Sequence, residues 1–283
     1  MQTKIFPLIE LVLDELYSQI PGPETRKVDE VNSSLAMLSE RYRHLVGKDK
    51  AIDYSLPATR LAYIYKYVTC HSNLVYTRIP RSSKLADLFN GGTVRVACLG
   101  GGPGSDFLGI LKYCMECGKK PDLKCQLFDR EIAWGESWED VDDKINAADK
   151  LHTRTVYQQL DVTRSDTYLS RSKYLSSDLF TMIYFVSEVY SRLGDGADDY
   201  FDHLLAGIRK GAQLLYIDNN HSEFTDWMEK KFNIHKLTIV KHGEGKEGLP
   251  VEEEKKDLGK YYGMFNSAPR LDADVAWRIA RKR

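Results

Sequence analysis

The sequence predicts an α/β protein in which helices cover both faces of a doubly wound parallel sheet, preceded by an N-terminal helical extension. From Thr93 onward, short apolar runs alternate with segments of helical periodicity. That alternation is typical of strands that are buried on both faces by crossover helices. Before Thr93, apolar residues instead recur at spacings of three and four, as on one face of a helix. We therefore predict a helical region over 1–90 and a sheet domain over 91–283.

The helical region is predicted to contain at least three helices. The first follows the apolar spacing from Ile5 to Ile20 and ends before a Pro-Gly-Pro sequence. The second is expected over about 25–46, and the third begins at Pro57, a favourable first-turn residue. Five tyrosines between positions 54 and 76 either pack between helices or line a ligand pocket. The region is expected to act as a lid or to bind a substrate.

Seven strands are predicted in the sheet domain, separated by helices and one charged stretch. The strands lie at 94–99, 124–128, 155–160, 179–186, 213–217, 236–241 and 274–280. The helices lie at 106–117, 134–148 and 198–210. The stretch 243–260 is rich in charge and contains glycine, so we expect a mobile loop there.

Composition limits the function classes that the chain can belong to. Of 283 residues, 42% are hydrophobic and 29% charged, which is typical of a globular protein with a real core. A net charge of -1 excludes a strongly basic nucleic-acid wrapper, although a local basic groove remains possible. No apolar run approaches the roughly 18 residues of a membrane span. The odd count of five cysteines indicates reduced thiols in an intracellular protein, cytoplasmic or nuclear.

A glycine-rich loop follows the first predicted strand and opens a helix. It runs from Gly100 to Gly104 and is followed by Ser105 and Asp106. Glycines there let the backbone pass close to a ligand, and a helix N-terminus offers free N–H groups. The spacing misses the G-x-G-x-x-G of a dinucleotide site, and the Gly-Lys-Ser/Thr of a phosphate-binding loop is absent. The spacing that fits is G-x-G-x-G, at Gly100, Gly102 and Gly104.

This spacing resembles motif I of the class I S-adenosylmethionine-dependent methyltransferases, and later acidic strand ends follow that family's order. The resemblance implies S-adenosylmethionine as cofactor, with Asp129 holding both ribose hydroxyls and Asp161 accepting from the adenine amino group. It also implies a Rossmann-like, seven-stranded sheet whose last strand is antiparallel and inserts beside the strand near Lys236. The predicted cofactor-binding residues are Gly100, Gly101, Gly102, Gly104, Asp106, Asp129, Ile132, Asp161, Val162 and Phe185.

A closer resemblance is to the fungal large-subunit rRNA uridine methyltransferases that modify ring nitrogen 3. It is carried by Gly100–Pro103, Gln159–Val162, Ser187-Glu188 and Leu214–Asp218. In that family a Thr-Asn-Glu run ends the fourth strand. Here the matching run is Val186-Ser187-Glu188, so only the glutamate carries over. This resemblance implies RNA as the methyl acceptor.

The predicted catalytic residues are Glu188, Asp218 and Asn219, which follow the fourth and fifth strands. Methyl transfer requires an aligned nucleophile, exclusion of water and removal of any proton on that nucleophile. Glu188 could act as a base towards an N–H or hold an amino group, or it could cap the following helix. Asp218 and Asn219 could orient the acceptor or serve only as turn residues.

No metal is predicted, because the C-x-x-C sequence at Cys114 and Cys117 lacks a second pair of ligands.

Three candidate functions follow from the sequence observations. A methyltransferase acting on RNA is favoured, and a methyltransferase acting on a small molecule or a protein is the alternative. The third is a cofactor-binding scaffold or sensor without catalysis, since a fold does not fix a function.

Overall fold

One seven-stranded sheet forms the centre of the protein. The computed structural model describes residues 4–42, 52–138 and 152–283. The strands are β1 (Thr93–Leu99), β2 (Asp122–Asp129), β3 (His152–Gln159), β4 (Leu179–Ile183), β5 (Gln213–Asn219), β6 (Leu237–Gly248) and β7 (Asp272–Lys282). Their order in the sheet is β3-β2-β1-β4-β5-β7-β6. β1 to β5 pair in parallel, whereas β7 is antiparallel to both β5 and β6. The predicted fold class is confirmed, including the inserted antiparallel last strand.

The helices precede the sheet and alternate with its strands. They are α1 (Ile5–Gln19), α2 (Glu24–Arg41), α3 (Pro57–Tyr63), α4 (Thr69–Arg78), α5 (Ser83–Asp87), α6 (Ser105–Glu116), α7 (133–138 as far as described), α8 (Ser165–Leu169), α9 (Phe185–Val189), α10 (Ala197–Gly207) and α11 (Ser222–Ile234). A π-helical turn, Ile64–Val68, joins α3 to α4 without a break. Short 3₁₀ helices occur at Ile79–Arg81, Ser172–Ser176, Tyr190–Asp195 and Lys255–Tyr261.

Two predicted helices extend beyond the described residues. The second helix is expected to reach position 46, and the helix after Trp134 is expected to reach position 148; both ends lie outside the described residues.

None of the described helices has both the length and the apolar character needed to cross a membrane.

The two faces of the sheet are buried by different sets of helices. Along β1, Val96 and Cys98 join the hydrophobic cluster that contains α1 to α6, whereas Ala97 and Leu99 join the cluster with α10 and α11. This follows from the two-residue period of a strand, which sends successive side chains to opposite faces. The N-terminal helices therefore share one hydrophobic core with the sheet.

The prediction of a mobile loop over 243–260 is wrong. Residues up to Gly248 belong to β6 and pair with β7, and Lys255–Tyr261 form a 3₁₀ helix. β6 is an edge strand, so a charged and glycine-bearing sequence is compatible with it. Glu253, in the middle of the stretch, is only 9% exposed. Its charge is compensated inside the protein, which local sequence patterns could not indicate.

A buried ionic cluster around Glu253 ties the N-terminal helices to the sheet domain. The Nζ atom of Lys112, on α6, lies 2.7 Å from Oε1 of Glu253 and 2.8 Å from Oδ1 of Asn73 on α4. The same carboxylate accepts the backbone N–H of Ile5 at 2.9 Å, and that of Phe6. These are free donors of the first turn of α1. One carboxylate thus connects α1, α4 and α6.

We predict that Lys112→Met lowers the free energy of unfolding by about 3–5 kcal/mol, because it leaves a carboxylate buried without its cation. Urea unfolding followed by circular dichroism measures the loss. In the double variant Lys112→Met/Glu253→Gln the uncompensated charge is absent, so its loss should be smaller than the sum of the two single losses. Strictly additive losses would contradict the assignment of this cluster.

Candidate active site

A cavity lies at the carboxyl ends of the parallel strands, beside the switch point between β1 and β4. Ligands of open α/β sheets bind at this place because the crossovers diverge there. The sheet side contributes Leu99, Gly100, Phe128–Glu131, Leu160–Thr163, Phe185, Ser187–Val189, Ser191, Arg192 and Tyr200. The helical region contributes Arg41, Tyr42, Ile52 and Tyr54. The cavity thus lies between the strand ends and the N-terminal helices.

The glycine loop packs so tightly that side chains have no space in it. Gly100 has a φ of +66°, and a Cβ atom there would lie 2.4 Å from Cδ2 of Phe185. At Gly104, with a φ of +77°, a Cβ atom would lie 1.6 Å from Cζ2 of Trp138. A Cβ atom at Gly101 would overlap Cys98, and one at Gly102 would overlap Trp134. Of the four predicted glycines, Gly100 lines the cavity, and the others shape the turn behind it.

Asp129 ends β2 and presents its carboxylate to the cavity. Oδ2 accepts the backbone N–H of Gly102 at 3.2 Å, and Oδ1 accepts that of Glu131 at 3.1 Å. Burial raises the pKa of Asp129 to about 6, although these N–H groups act in the opposite direction. Each oxygen retains a lone pair for a further donor. The carboxylate is therefore held in place and can accept a pair of hydroxyl groups.

An apolar wall with a polar rim lies next to Asp129, at the end of β3. Leu160 and Val162 are buried and face the cavity together with Phe128. Oδ1 of Asp161 accepts the N–H of Thr163 at 2.9 Å and its hydroxyl at 2.7 Å. Such a wall suits a planar aromatic base, with a carboxylate at its edge to accept an amino group.

The turn after β4 is strained and is held by buried polar groups. Tyr184 adopts a left-handed conformation, with a φ of +57°, which is rare for a bulky residue and is characteristic of functional turns. Oδ2 of Asp218 accepts the N–H of Ser187 at 3.0 Å, and Nδ2 of Asn219 donates to the Ser187 hydroxyl at 3.1 Å. Asp218 is fully buried, and burial raises its pKa to about 6. The structure places Asp218 and Asn219 behind the turn that carries Glu188, outside the cavity lining.

Glu188 lies on α9 and opens into the cavity. Its Oε1 accepts the hydroxyl of Tyr42 at 2.7 Å, and that hydroxyl lies 2.8 Å from the hydroxyl of Tyr54. The Glu188 side chain is open to solvent on the cavity side. Partial desolvation by the neighbouring side chains raises its pKa to about 8, and the charges of Asp129 and Asp218 contribute. Its Oε2 has no hydrogen-bond partner among the described residues. A carboxyl group with these properties can exchange a proton near neutral pH.

Asp106 and Ile132 lie outside the cavity lining. The carboxylate of Asp106 is buried and accepts the hydroxyl of Thr181 on β4. The side chain of Ile132 is 62% exposed on the surface. Their contact with a cofactor stays a prediction.

Tyr42 is a site residue that sequence reasoning missed. It lies 146 residues before Glu188 in the chain, and no local pattern marks it. Trp138 lies outside the cavity lining and packs behind the glycine loop, where its Nε1 donates to the carbonyl of Gly102 at 2.5 Å and its ring covers Gly104. The i, i+4 spacing of Trp134 and Trp138 places both rings on one helix face and is the sequence signal of this packing.

The described residues contain no group of three or more His, Cys, Asp or Glu side chains able to hold a metal ion. Of the C-x-x-C pair, Cys114 is buried and Cys117 is exposed.

No family model matches the chain, and no curated protein matches it. Several solved structures are similar in fold at low identity. One is a candidate RNA methyltransferase from Pyrococcus horikoshii, at 15% identity over 88% of this chain and 98% of that chain, with a TM-score of 0.41. Another is the N-methyltransferase NodS from Bradyrhizobium japonicum, solved with S-adenosyl-L-homocysteine, at 11% identity over 89% of this chain and 98% of that one, with a TM-score of 0.41. A DUF574 family protein from Streptomyces avermitilis matches at 12% identity over 97% of each chain, with a TM-score of 0.43. TM-scores below 0.5 at such identities do not extend the chemistry of those proteins to this chain.

We predict that Gly104→Ala is more destabilising than Gly118→Ala. Both glycines have positive φ angles, and each alanine costs about 1–2 kcal/mol for the left-handed conformation. A Cβ atom at Gly118 would have no neighbouring atom within 4 Å, whereas an alanine at 104 must also displace Trp138, at a further cost of about 1–3 kcal/mol. Urea unfolding of both variants, monitored by tryptophan fluorescence, measures the difference. Equal losses would show that Trp138 does not cover the loop.

Proposed function

We propose that the protein is an S-adenosylmethionine-dependent methyltransferase that transfers the methyl group by in-line displacement. The observation that carries the proposal is the Asp129 carboxylate, fixed by two backbone N–H groups and open to the cavity at the switch point of the sheet. It lies between a glycine turn without side chains and an apolar wall. Those three features together suit a nucleoside with a free ribose.

The residues present fit this cofactor. Asp129 would hold the two ribose hydroxyls, and Leu160, Val162 and Phe128 would enclose the adenine, with Asp161 at its edge. Gly100 lets the Phe185 ring pack against the loop at the cavity wall, because a side chain at position 100 would enter the space of that ring. When bound, S-adenosylmethionine supplies a methyl group that its positively charged sulfur activates for displacement.

The chain's own residues provide the remaining requirements of the reaction. Glu188 is the one carboxylate of the cavity that we assign to proton removal, and the Tyr42 hydroxyl orients it. The helical region, as the predicted lid, covers part of the cavity with Tyr42 and Tyr54 and so limits the access of water to it. Asp218 acts on Glu188 indirectly, by fixing the N–H of Ser187 in the intervening turn.

The contact between Glu188 and the helical region favours a small acceptor over RNA. Tyr42 contacts the carboxylate directly, so an acceptor must fit between the helical region and the strand ends. RNA, the acceptor favoured by the sequence resemblance, stays a second candidate because Arg41, Arg130 and Arg192 line the same cavity and could contact phosphate. Labelled cofactor incubated with the protein and fractionated cell extract distinguishes the two, and absence of turnover on either pool supports a non-catalytic sensor.

We predict that Asp129→Ala weakens binding of S-adenosylmethionine roughly a hundredfold, since it removes two charge-assisted hydrogen bonds to the ribose. Isothermal titration calorimetry measures the affinity, and a cooperative thermal melt verifies the fold. The matched control is Asp122→Ala, at the opposite end of the same strand, which should bind the cofactor normally. Unchanged affinity in a folded Asp129→Ala protein would remove the cofactor assignment.

A further inference from the structure

We propose that the methyl acceptor is the amino group of a small molecule, and that this group is a positively charged ammonium in solution. This proposal rests on the proposed function. Glu188 would bind the ammonium group and take its proton, and the rings of Tyr42 and Tyr54 would surround it. Three features support this acceptor: a carboxylate without a salt bridge, an aromatic wall beside it, and a cavity that the helical region partly covers.

The first step is the charge at Glu188. Among the described residues, Glu188 forms no salt bridge with a Lys, Arg or His side chain. One oxygen accepts the Tyr42 hydroxyl, and the other has no described partner. Asp129 and Asp218 add negative potential, and Arg130 opposes them. Arg41 and Arg192 also line the cavity, but neither forms a salt bridge with Glu188. A carboxylate in a cavity of this kind is best matched by a ligand that brings its own positive charge.

The second step is the aromatic wall beside that carboxylate. Tyr42 and Tyr54 line the cavity. Tyr63 and Tyr67 support them from behind, with ring centroids of Tyr42 and Tyr67 5.2 Å apart and those of Tyr54 and Tyr63 5.7 Å apart. Aromatic rings attract cations through their negative faces, and desolvation in a cavity strengthens the attraction. Carboxylate and rings together favour an organic ammonium group over a neutral acceptor such as an alcohol or a base N–H.

The reaction balances with Glu188 as the base. The ammonium nitrogen gives one proton to the carboxylate and becomes a neutral amine with a free lone pair. That nitrogen forms a bond to the methyl carbon while the carbon–sulfur bond breaks and its electron pair goes to sulfur. The positive charge lost at sulfur appears on the methylated nitrogen, so the product leaves as an ammonium ion, and the proton on Glu188 returns to solvent.

A second source of positive charge is the cofactor itself. S-Adenosylmethionine and S-adenosylhomocysteine share an ammonium group, but only the former carries a charged sulfur. If Glu188 pairs with that sulfur, Glu188→Gln will weaken binding of the first and spare the second. If Glu188 pairs with the acceptor, both affinities will be close to those of the unmodified protein.

The test uses the full chain loaded with S-adenosylhomocysteine and titrated with phenethylamine or with 2-phenylethanol, a neutral compound of similar shape. We expect the amine to bind at least tenfold more tightly than the alcohol, and Glu188→Gln to remove this preference. The matched control is Glu223→Gln, an exposed carboxylate at the start of α11, which should keep it. With labelled S-adenosylmethionine, methyl label should enter the amine.

Binding of the amine should also depend on pH. Its affinity should rise between pH 6 and 8.5, because partial desolvation and the charges of Asp129 and Asp218 raise the pKa of Glu188 to about 8, so the carboxylate form predominates only above that pH. Binding of the alcohol, and of the amine to Glu188→Gln, should not follow this rise. The titratable and charged groups around Glu188 are Tyr42, Tyr54, Tyr63, Asp129, Arg130 and Asp218. The same cavity is also lined by four further charged residues, Arg41, Glu131, Asp161 and Arg192.

Three results would overturn the inference while leaving the proposed function intact. They are equal affinity for amine and alcohol, loss of S-adenosylmethionine affinity in Glu188→Gln whether or not S-adenosylhomocysteine affinity falls with it, and label that enters RNA but not the amine. If neither S-adenosylmethionine nor S-adenosylhomocysteine binds the unmodified protein, the proposed function fails as well.

Discussion

The position of the Asp129 carboxylate depends on the glycine turn, and the rest of the candidate site depends on that carboxylate. Gly102 can donate its N–H to Asp129 only because the turn carries no side chains, and Trp134 and Trp138 pack where those side chains would be. The same turn brings Gly100 against Phe185 at the start of α9. One close-packed loop therefore fixes the ends of β1, β2 and β4 relative to one another.

The opposite wall of the cavity is built from buried charge and strain. Tyr184 is held in a left-handed conformation, and Asp218 beneath it binds the N–H of Ser187. Both features cost free energy in a folded protein, and both serve to present Glu188 to the cavity. Glu188 in turn meets Tyr42, so the helical region completes a site that the sheet alone leaves open.

Much of the architecture could be predicted from sequence because it depends on local patterns. Strand–helix alternation indicated the sheet, and the glycine loop with acidic strand ends indicated which edge holds the site. Features that depend on distant residues could not be predicted. The contact between Tyr42 and Glu188 spans 146 positions, and the strand character of β6 depends on pairing with β7. Burial of Glu253 depends on Lys112, which no local rule connects to it.

The most direct test of the account is a crystal structure of the protein with S-adenosylhomocysteine. We expect the two ribose hydroxyls within hydrogen-bonding distance of the two carboxylate oxygens of Asp129, and the adenine against Leu160 and Val162. A nucleoside bound elsewhere, or a cavity that stays empty at saturating ligand while Asp129 keeps its present contacts, would contradict it.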